Sequence, residues 1–287
     1  MRKYTFILLL TTTIVVMSGC STKYLGTGLN DFRSSSETIA ESMTGMFSEI
    51  INEDMELRAE RSVRNSSVTI SALEPGIITF QNMRLRKVML NSLVEYSGLL
   101  KALFGNDHVA HVKEYGNKLK KDLESIYLYN PGIVSKNARG VISTMITMVP
   151  EGFTFIKKKR FALRMMIEMQ KIIEKMSGKL KEEIISLKLL APNLYTRLFR
   201  VKVEDKWPEK IDKRLKYALV GVKIIRKRER FRELAGDLLK IMEIFPSEHK
   251  KLITSFKKNG GKLNGLNELI NYSIRLKNSY DLLSQGE

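Results

Sequence analysis

Apolar side chains recur at intervals of three and four residues along most of the chain. The clearest run predicts a long helix that ends before Pro192, with apolar positions at Met165, Met169, Ile172, Met176, Leu180, Ile184 and Leu187. A second run predicts a helix that begins near Pro208, with apolar positions at Ile211, Leu215, Ala218, Val222 and Ile225, and then at Leu234, Leu238 and Ile241. Such stripes usually face a protein core, so we assign both stripes to the core.

The same spacing predicts further helices on both sides of these two. They lie before the break at residues 74–76, between that break and Gly105, between Asn106 and Pro131, and from Lys262 onward with Leu266, Ile270 and Ile274 on one face. The segments Val68–Ala72 and Leu198–Val203 have a strand-like composition, but no alternating run is long enough for a sheet. The predicted fold is all-α: an elongated bundle of about seven helices behind a flexible N-terminal tether.

The first twenty residues have the pattern of an export signal. Arg2 and Lys3 precede a mostly apolar stretch at residues 4–17, which is too short to span a bilayer as a helix. The residues that end it are Met17, Ser18, Gly19 and Cys20. This ending resembles the lipobox of bacterial lipoproteins. The resemblance covers only residues 1–20, and it implies cleavage after Gly19 and attachment of a lipid to Cys20.

The resemblance divides the chain into a signal peptide at residues 1–19, a lipidated tether at 20–36 and a helical domain at 37–287. Glycine, serine and threonine are frequent in the tether, and Ser34 and Glu37 have the spacing of a capping box. The implied location is the cell envelope, on the outer membrane if the source has two membranes. Two alternatives, an ordinary secretory signal and an uncleaved anchor, would still export the protein.

Charge separates the two halves of the chain. Residues 1–150 carry 17 lysine and arginine residues against 14 aspartate and glutamate residues, and residues 151–287 carry 32 against 17. Of the formal net charge of +18, the second half therefore holds +15 and the first half +3. This asymmetry predicts an anionic partner for the second half.

Two short basic runs concentrate this charge. The first is Lys157, Lys158, Lys159 and Arg160, and the second is Arg226, Lys227, Arg228, Arg230 and Arg232. We identify all nine as candidate contacts to an anionic surface, which would be anionic lipid, lipopolysaccharide or a wall polymer. Nucleic acid is disfavoured because the export signal separates the protein from it. The alternative is that the basic runs are simply a solvated face.

The chain offers few residues for catalysis or metal binding. One cysteine and three histidines exclude a disulfide scaffold, a multi-cysteine zinc site and an iron–sulfur cluster. His108 and His111, with Glu114, form a weak candidate for a divalent-metal patch, to which only His249 could add an imidazole. No nucleophile-elbow motif occurs and no cofactor is predicted, so we expect a protein that is not an enzyme.

These features favour a non-catalytic role in binding or scaffolding for a membrane-anchored envelope lipoprotein, which would contact an anionic surface or another envelope protein. One alternative is a membrane-active or pore-forming protein that inserts the apolar segment Val141–Ile156. A second alternative is a hydrolase of cell-wall polymers. An exposed apolar patch would favour the first alternative, and a cleft with converging carboxylates would favour the second.

Overall fold

The structure is a computed structural model. It describes residues 2–64, 69–104, 109–147, 154–259 and 266–284, without the side chains of residues 2–26, 109, 155 and 259. Within these ranges the chain forms eight α-helices, one 3₁₀-helix and no strand. The α-helices are α1 (Arg2–Arg64), α2 (Ile70–Leu73), α3 (Phe80–Phe104), α4 (Val109–Tyr129), α5 (Lys136–Thr147), α6 (Phe155–Lys202), α7 (Ile211–Asn259) and α8 (Asn267–Ser284). The 3₁₀-helix is Glu204–Lys206.

The all-α prediction is confirmed. Where they are described, both segments with a strand-like composition contain helix: α2 begins at Ile70, and α6 includes residues 198–202. Thr69 caps α2, since its Oγ1 accepts a hydrogen bond from the Ala72 N–H at 3.2 Å. Residue composition is a weak guide to strands, because side-chain burial decides which structure such short segments adopt.

The apolar stripe of α6 is buried as predicted, since its seven side chains from Met165 to Leu187 are at most 4% exposed. We call these seven residues the α6 seam. The prediction that this helix ends before Pro192 is wrong, because α6 continues to Lys202. Proline inside a helix removes a backbone hydrogen bond and costs about 3 kcal/mol. Burial of four later side chains offsets this cost: Leu194, Tyr195, Leu198 and Val201.

The chain divides into two compact units, and each unit takes three separate stretches of sequence. The first unit contains Met1–Glu37, Asn91–Lys175 and Ile244–Asn271. The second unit contains Thr38–Leu90, Met176–Glu243 and Tyr272–Glu287. The boundaries fall inside α1, α3, α6, α7 and α8. The absence of a linker in the sequence predicts one bundle, and no linker marks the division into two units.

The folded body begins earlier than the boundary predicted at residue 37. Leu29 and Phe32, which were assigned to the tether, are fully buried in the first unit. The Phe32 ring stacks on Phe245 with centroids 5.8 Å apart. Ser36 Oγ donates to the Phe32 carbonyl oxygen at 2.8 Å inside α1, so the helix does not begin with a capping box at this point. Serine is frequent in tethers, but its small side chain also allows close packing of helices.

The segment Val141–Ile156, considered for membrane insertion, is only partly described. Ile142 and Ile146 are buried in the first unit, where α5 packs against α4. Residues 148–153 lie outside the described part of the chain. Part of this segment, in α5, thus belongs to the core of the first unit.

In α8 the buried face differs from the predicted one. Leu266 is buried as expected, but Ile274 is 57% exposed, while Leu269, Leu276 and Leu283 are buried. The helix has apolar residues on more than one face, so the periodicity alone did not decide which face packs. In the described part of the chain, no helix has the length and apolar content that a bilayer span requires.

Candidate anionic-surface contact

The first basic run lies in the first unit, at the start of α6. Lys157 and Arg160 are exposed, and Lys158 and Lys159 are half-buried. No carboxylate among the described residues pairs with any of the four, and α6 has no acidic residue in its first turn. Cations at this end of a helix oppose the helix dipole, which is positive there. An external anion would relieve this unfavourable arrangement.

The second basic run lies in the second unit on α7, and its members have different surroundings. Lys227 points into the unit, where its Nζ lies 2.8 Å from Glu53 Oε1 and 3.0 Å from Glu49 Oε1. Burial lowers the pKa of Lys227, but the hydrogen bonds to Glu53 and Glu49 outweigh burial and raise the pKa overall. Lys227 therefore belongs to an internal ion cluster with Glu49 and Glu53, and it does not contribute to the predicted surface contact.

Glu229 neutralises part of the charge of the second run. Arg228 Nε and Nη2 donate to Glu229 Oε1 at 3.0 and 2.9 Å, and Arg232 Nη1 lies 3.7 Å from Glu229 Oε2. Arg226 is exposed and Arg230 is half-buried, and neither pairs with a carboxylate in the part of the chain that is described. The second run thus presents two unpaired cations and two that share one carboxylate.

A groove of about 290 Å³ lies beside this run in the second unit, between α6 and α7. Ala191, Pro192 and Phe231 contribute apolar surface to it. Three cationic side chains also line it: Lys188, Arg228 and Arg232. The combination of apolar and cationic surface suits an amphiphilic anion.

Five apolar side chains on the first turns of α7 face solvent. Their exposed fractions run from 41% to 78%, and we call them the α7 outer stripe: Ile211, Leu215, Leu219, Val222 and Ile225. Four of the five were predicted to be core, and that prediction is wrong. The first buried positions of α7 are Gly221 and Ile224, in its third and fourth turns. The sequence did hold a signal for the outer stripe, because lysine and arginine residues flank it on α7.

The candidate metal patch is not assembled in the described residues. His111 is exposed on α4, and His108 lies outside the described residues. His249 is fully buried in the first unit, where its Nε2 lies 2.7 Å from Tyr96 Oη and its Nδ1 lies 2.6 Å from Gln170 Oε1. Both ring nitrogens are therefore engaged in hydrogen bonds. Among the described residues, no three or more metal-ligating side chains lie together.

Burial keeps His249 neutral, since it lowers the pKa of the imidazole to about 3. Gln170 Nε2 also donates to the Pro246 carbonyl oxygen at 3.0 Å, which fixes the amide that contacts the imidazole. His249, Tyr96 and Gln170 thus form a polar network inside the first unit.

The structure brings the second basic run and the α7 outer stripe together on one helix. The first basic run belongs to the other unit, and the side chain of Cys20 lies outside the described part of the chain. Comparisons with protein-family models, with curated proteins and with solved structures give no match to this chain.

Proposed function

We propose that this protein is a lipid-anchored protein of the bacterial cell envelope that acts without catalysis, by binding an anionic surface or scaffolding another envelope protein. Cys20 is the proposed site of lipid attachment, on the basis of the lipobox-like residues 17–20. One observation carries the binding role: of the nine predicted contact residues, six have no carboxylate partner in the described chain, namely Lys157, Lys158, Lys159, Arg160, Arg226 and Arg230.

A lipid anchor and a basic surface reinforce each other physically. One acyl chain alone binds a membrane only marginally, whereas each lysine or arginine near an anionic leaflet adds about 1 kcal/mol. In a fully lipidated protein the charge is not needed for retention. Its role is then to orient the helical body against the surface.

The surroundings of Glu49, Glu53 and His249 support a role without catalysis. In the second unit, Glu49 and Glu53 are held by Lys227. In the first unit, His249 is enclosed and bonded on both nitrogens. Each of these groups is engaged in stabilising the interior, so none is available to exchange protons with a substrate.

Lipid attachment is tested by labelling the full precursor with palmitate in a bacterial host. We expect label in the wild-type protein and none in a Cys20→Ser variant, which should accumulate as an unprocessed precursor. Normal labelling of the variant would refute Cys20 as the site.

Surface binding is tested by sedimentation with vesicles. The sample is the chain from residue 20 with Cys20→Ser, which we call the unlipidated chain and which keeps every described side chain. We expect it to bind vesicles of equal phosphatidylglycerol and phosphatidylcholine at low salt, to bind pure phosphatidylcholine weakly, and to be released from the anionic vesicles by salt.

A charge variant and a matched control locate the contact. The charge variant combines Lys157→Gln, Arg160→Gln, Arg226→Gln and Arg230→Gln. The control removes the same charge at four other exposed lysines: Lys250, Lys257, Lys258 and Lys277. Low-salt binding should weaken in the charge variant far more than in the control. Equal loss in both would mean that total charge, and not these runs, drives binding.

Membrane permeabilisation is a second candidate function, and the exposed α7 outer stripe favours it. A pore-forming protein needs apolar surface that can enter a bilayer. Release of a dye trapped inside the same anionic vesicles distinguishes the two functions. Peripheral binding leaves the dye inside, whereas a pore releases it at protein concentrations that give binding.

A further inference from the structure

The α7 helix packs on the second unit from Gly221 onward, whereas residues 211–216 at its start are exposed on every face. Gly221 lies on the packed side, and a Cβ atom at this position would be only 2.8 Å from Phe199 Cε2. Ile224 is buried close by. The missing side chain at Gly221 thus lets α7 approach α6 closely. This packing fixes the rotation of α7, and Leu219, Val222 and Ile225 lie outside the packed face.

The α7 outer stripe is continuous along the helix. Its members follow one another by four, four, three and three residues, so they lie on one face over about 21 Å. Ile211 is 78% exposed and Leu215 is 67% exposed, far more than a core helix allows. Five such side chains on one helix face are more than the scattered apolar residues of an ordinary surface.

Cations border this stripe on both sides. Residues 210–226 contain six lysine and arginine residues against Asp212 alone, a net charge of +5. At 3.6 residues per turn, Lys216 and Lys223 fall on one side of the stripe and Arg214 on the other. Arg214 is held beside the helix start, since its Nη2 donates to the Glu209 carbonyl oxygen at 2.9 Å. An outward apolar face with basic borders is the arrangement of helices that lie in the headgroup region of a bilayer.

From this geometry we infer that the α7 outer stripe enters the headgroup region of an anionic phospholipid bilayer, with α7 parallel to the membrane surface. The inference rests on the proposed function and names lipid, rather than a wall polymer, as the anionic surface. A water-soluble polyanion would leave the five apolar side chains in water. In a bilayer the stripe is covered by acyl chains while Lys216, Lys223 and Arg214 meet phosphate groups.

A second copy of the chain is a poorer occupant of the stripe. Pairing two stripes would bring two segments of net charge +5 together, and within residues 210–226 only Asp212 would offset their repulsion. A partner protein would need an acidic border around an apolar groove. The vesicle experiment distinguishes lipid from a second copy and from a partner protein.

Trp207 provides a built-in probe. It is the sole tryptophan of the chain, it is 47% exposed, and it lies four residues before Ile211. If the stripe enters the headgroup region, Trp207 moves into a less polar environment. We therefore expect its emission to shift to shorter wavelength on binding, and to be quenched by lipids that carry bromine in the acyl chain.

The test compares two triple variants of the unlipidated chain. The stripe variant is Ile211→Gln, Leu215→Gln and Leu219→Gln. The matched control is Ile70→Gln, Leu128→Gln and Ile274→Gln, at positions of similar exposure, 84%, 78% and 57%. Circular dichroism checks that both variants keep the wild-type helix content and melting temperature.

Binding to phosphatidylglycerol-containing vesicles is then measured at low salt and in 0.5 M salt, at about ten times the ionic strength of the low-salt sample. We expect the affinity that the wild type retains in high salt to be about tenfold or more weaker in the stripe variant. The stripe variant should also lack the Trp207 shift, while the control keeps both. Equal behaviour of the two variants would overturn the inference.

The failure of the inference differs from the failure of the proposed surface contact. If anionic vesicles bind better than neutral ones and salt releases the stripe variant and the control alike, the surface contact stands and the stripe inference fails. If anionic and neutral vesicles bind equally at low salt, the surface contact itself fails. Light scattering without vesicles completes the test, since a wild-type dimer that the stripe variant abolishes would assign the stripe to a second copy.

Discussion

The α6 seam and the α7 outer stripe have the same sequence pattern and opposite surroundings. Both place an apolar side chain every three or four residues along a long helix, yet the seam is at most 4% exposed and the stripe is at least 41% exposed. The difference depends on which residues each helix has on its other faces. In α7 a second set of positions, including Gly221 and Ile224, packs against the unit and leaves the stripe outside. The periodicity therefore identifies an apolar face of a helix, and the elements that pack against the helix decide whether this face is buried.

The most direct test of this comparison is a truncation in the seam. Leu180→Ala removes a fully buried side chain, so we expect the free energy of unfolding to fall by about 3–5 kcal/mol. Urea unfolding followed by circular dichroism measures the loss. A change below about 1 kcal/mol would contradict the burial of the seam.

The pH dependence of stability tests whether the interior next to the seam excludes water. His249 contacts Gln170 of α6, and burial lowers its pKa to about 3, against about 6.5 in an unfolded chain. As the pH falls from 6.5 toward 3, the unfolded chain binds a proton that the folded chain does not. We expect His249 to cost up to about 1.4 kcal/mol of unfolding free energy per pH unit in this window.

A His249→Gln variant isolates this contribution. Asp122, in the same unit, titrates in the opposite sense because burial raises its pKa to about 6, so the folded state gains stability relative to the unfolded state as the pH falls through that region. Asp122 is present in both proteins, and the difference between their pH profiles therefore reports His249. Identical slopes between pH 6 and 4 would show that the imidazole is protonated in the folded state.

The same contrast between inside and outside can be tested within the second basic run. Lys227→Met leaves Glu49 and Glu53 without their shared cation, so we expect a loss of about 2–3 kcal/mol in the free energy of unfolding. The exposed neighbour variant Arg226→Met should change it by less than about 0.5 kcal/mol. Thermal unfolding of both variants measures the difference, and equal effects would place Lys227 on the surface after all.

The smallest effect on stability should come from the stripe itself. Leu215→Gln replaces a side chain that is mostly in water, so the free energy of unfolding should stay within about 0.5 kcal/mol of wild type. A larger loss, measured in the same urea titration as Leu180→Ala, would mean that the stripe packs within the protein and that the contrast between the two stripes is false.

Much of the fold could be predicted from sequence because helix periodicity is local information. The α6 seam, the break after Leu73 and the start of α7 near Pro208 all follow from spacing, proline and glycine. The continuation of α6 through Pro192 could not be predicted, because it depends on burial of side chains beyond the proline. The helical structure of residues 29–36 was missed for the same reason, since their packing against Phe245 involves residues far away in sequence.

The candidate site was predictable only as a set of charges. The two basic runs are visible in the sequence, but the inward direction of Lys227 depends on Glu49 and Glu53, about 175 residues earlier in the chain. The outer stripe was visible too, and it was assigned to the core because two faces of α7 are apolar. Choosing between them required the contact of Gly221 with Phe199, which no local pattern encodes.

The interleaving of the two units also governs how this chain can fold and be divided. The first unit contains buried residues as far apart in sequence as Leu29 and Leu269, so a fragment that ends before residue 244 lacks part of its core. During synthesis, most of the second unit's sequence must emerge before the first unit can close its core. Such distant pairings carry a large loop-closure entropy and favour slow folding that leaves apolar surface open for longer. Because neither unit is one continuous stretch of sequence, the units cannot fold one after the other during synthesis. We therefore expect folding to depend on a chaperone that binds the exposed apolar surface.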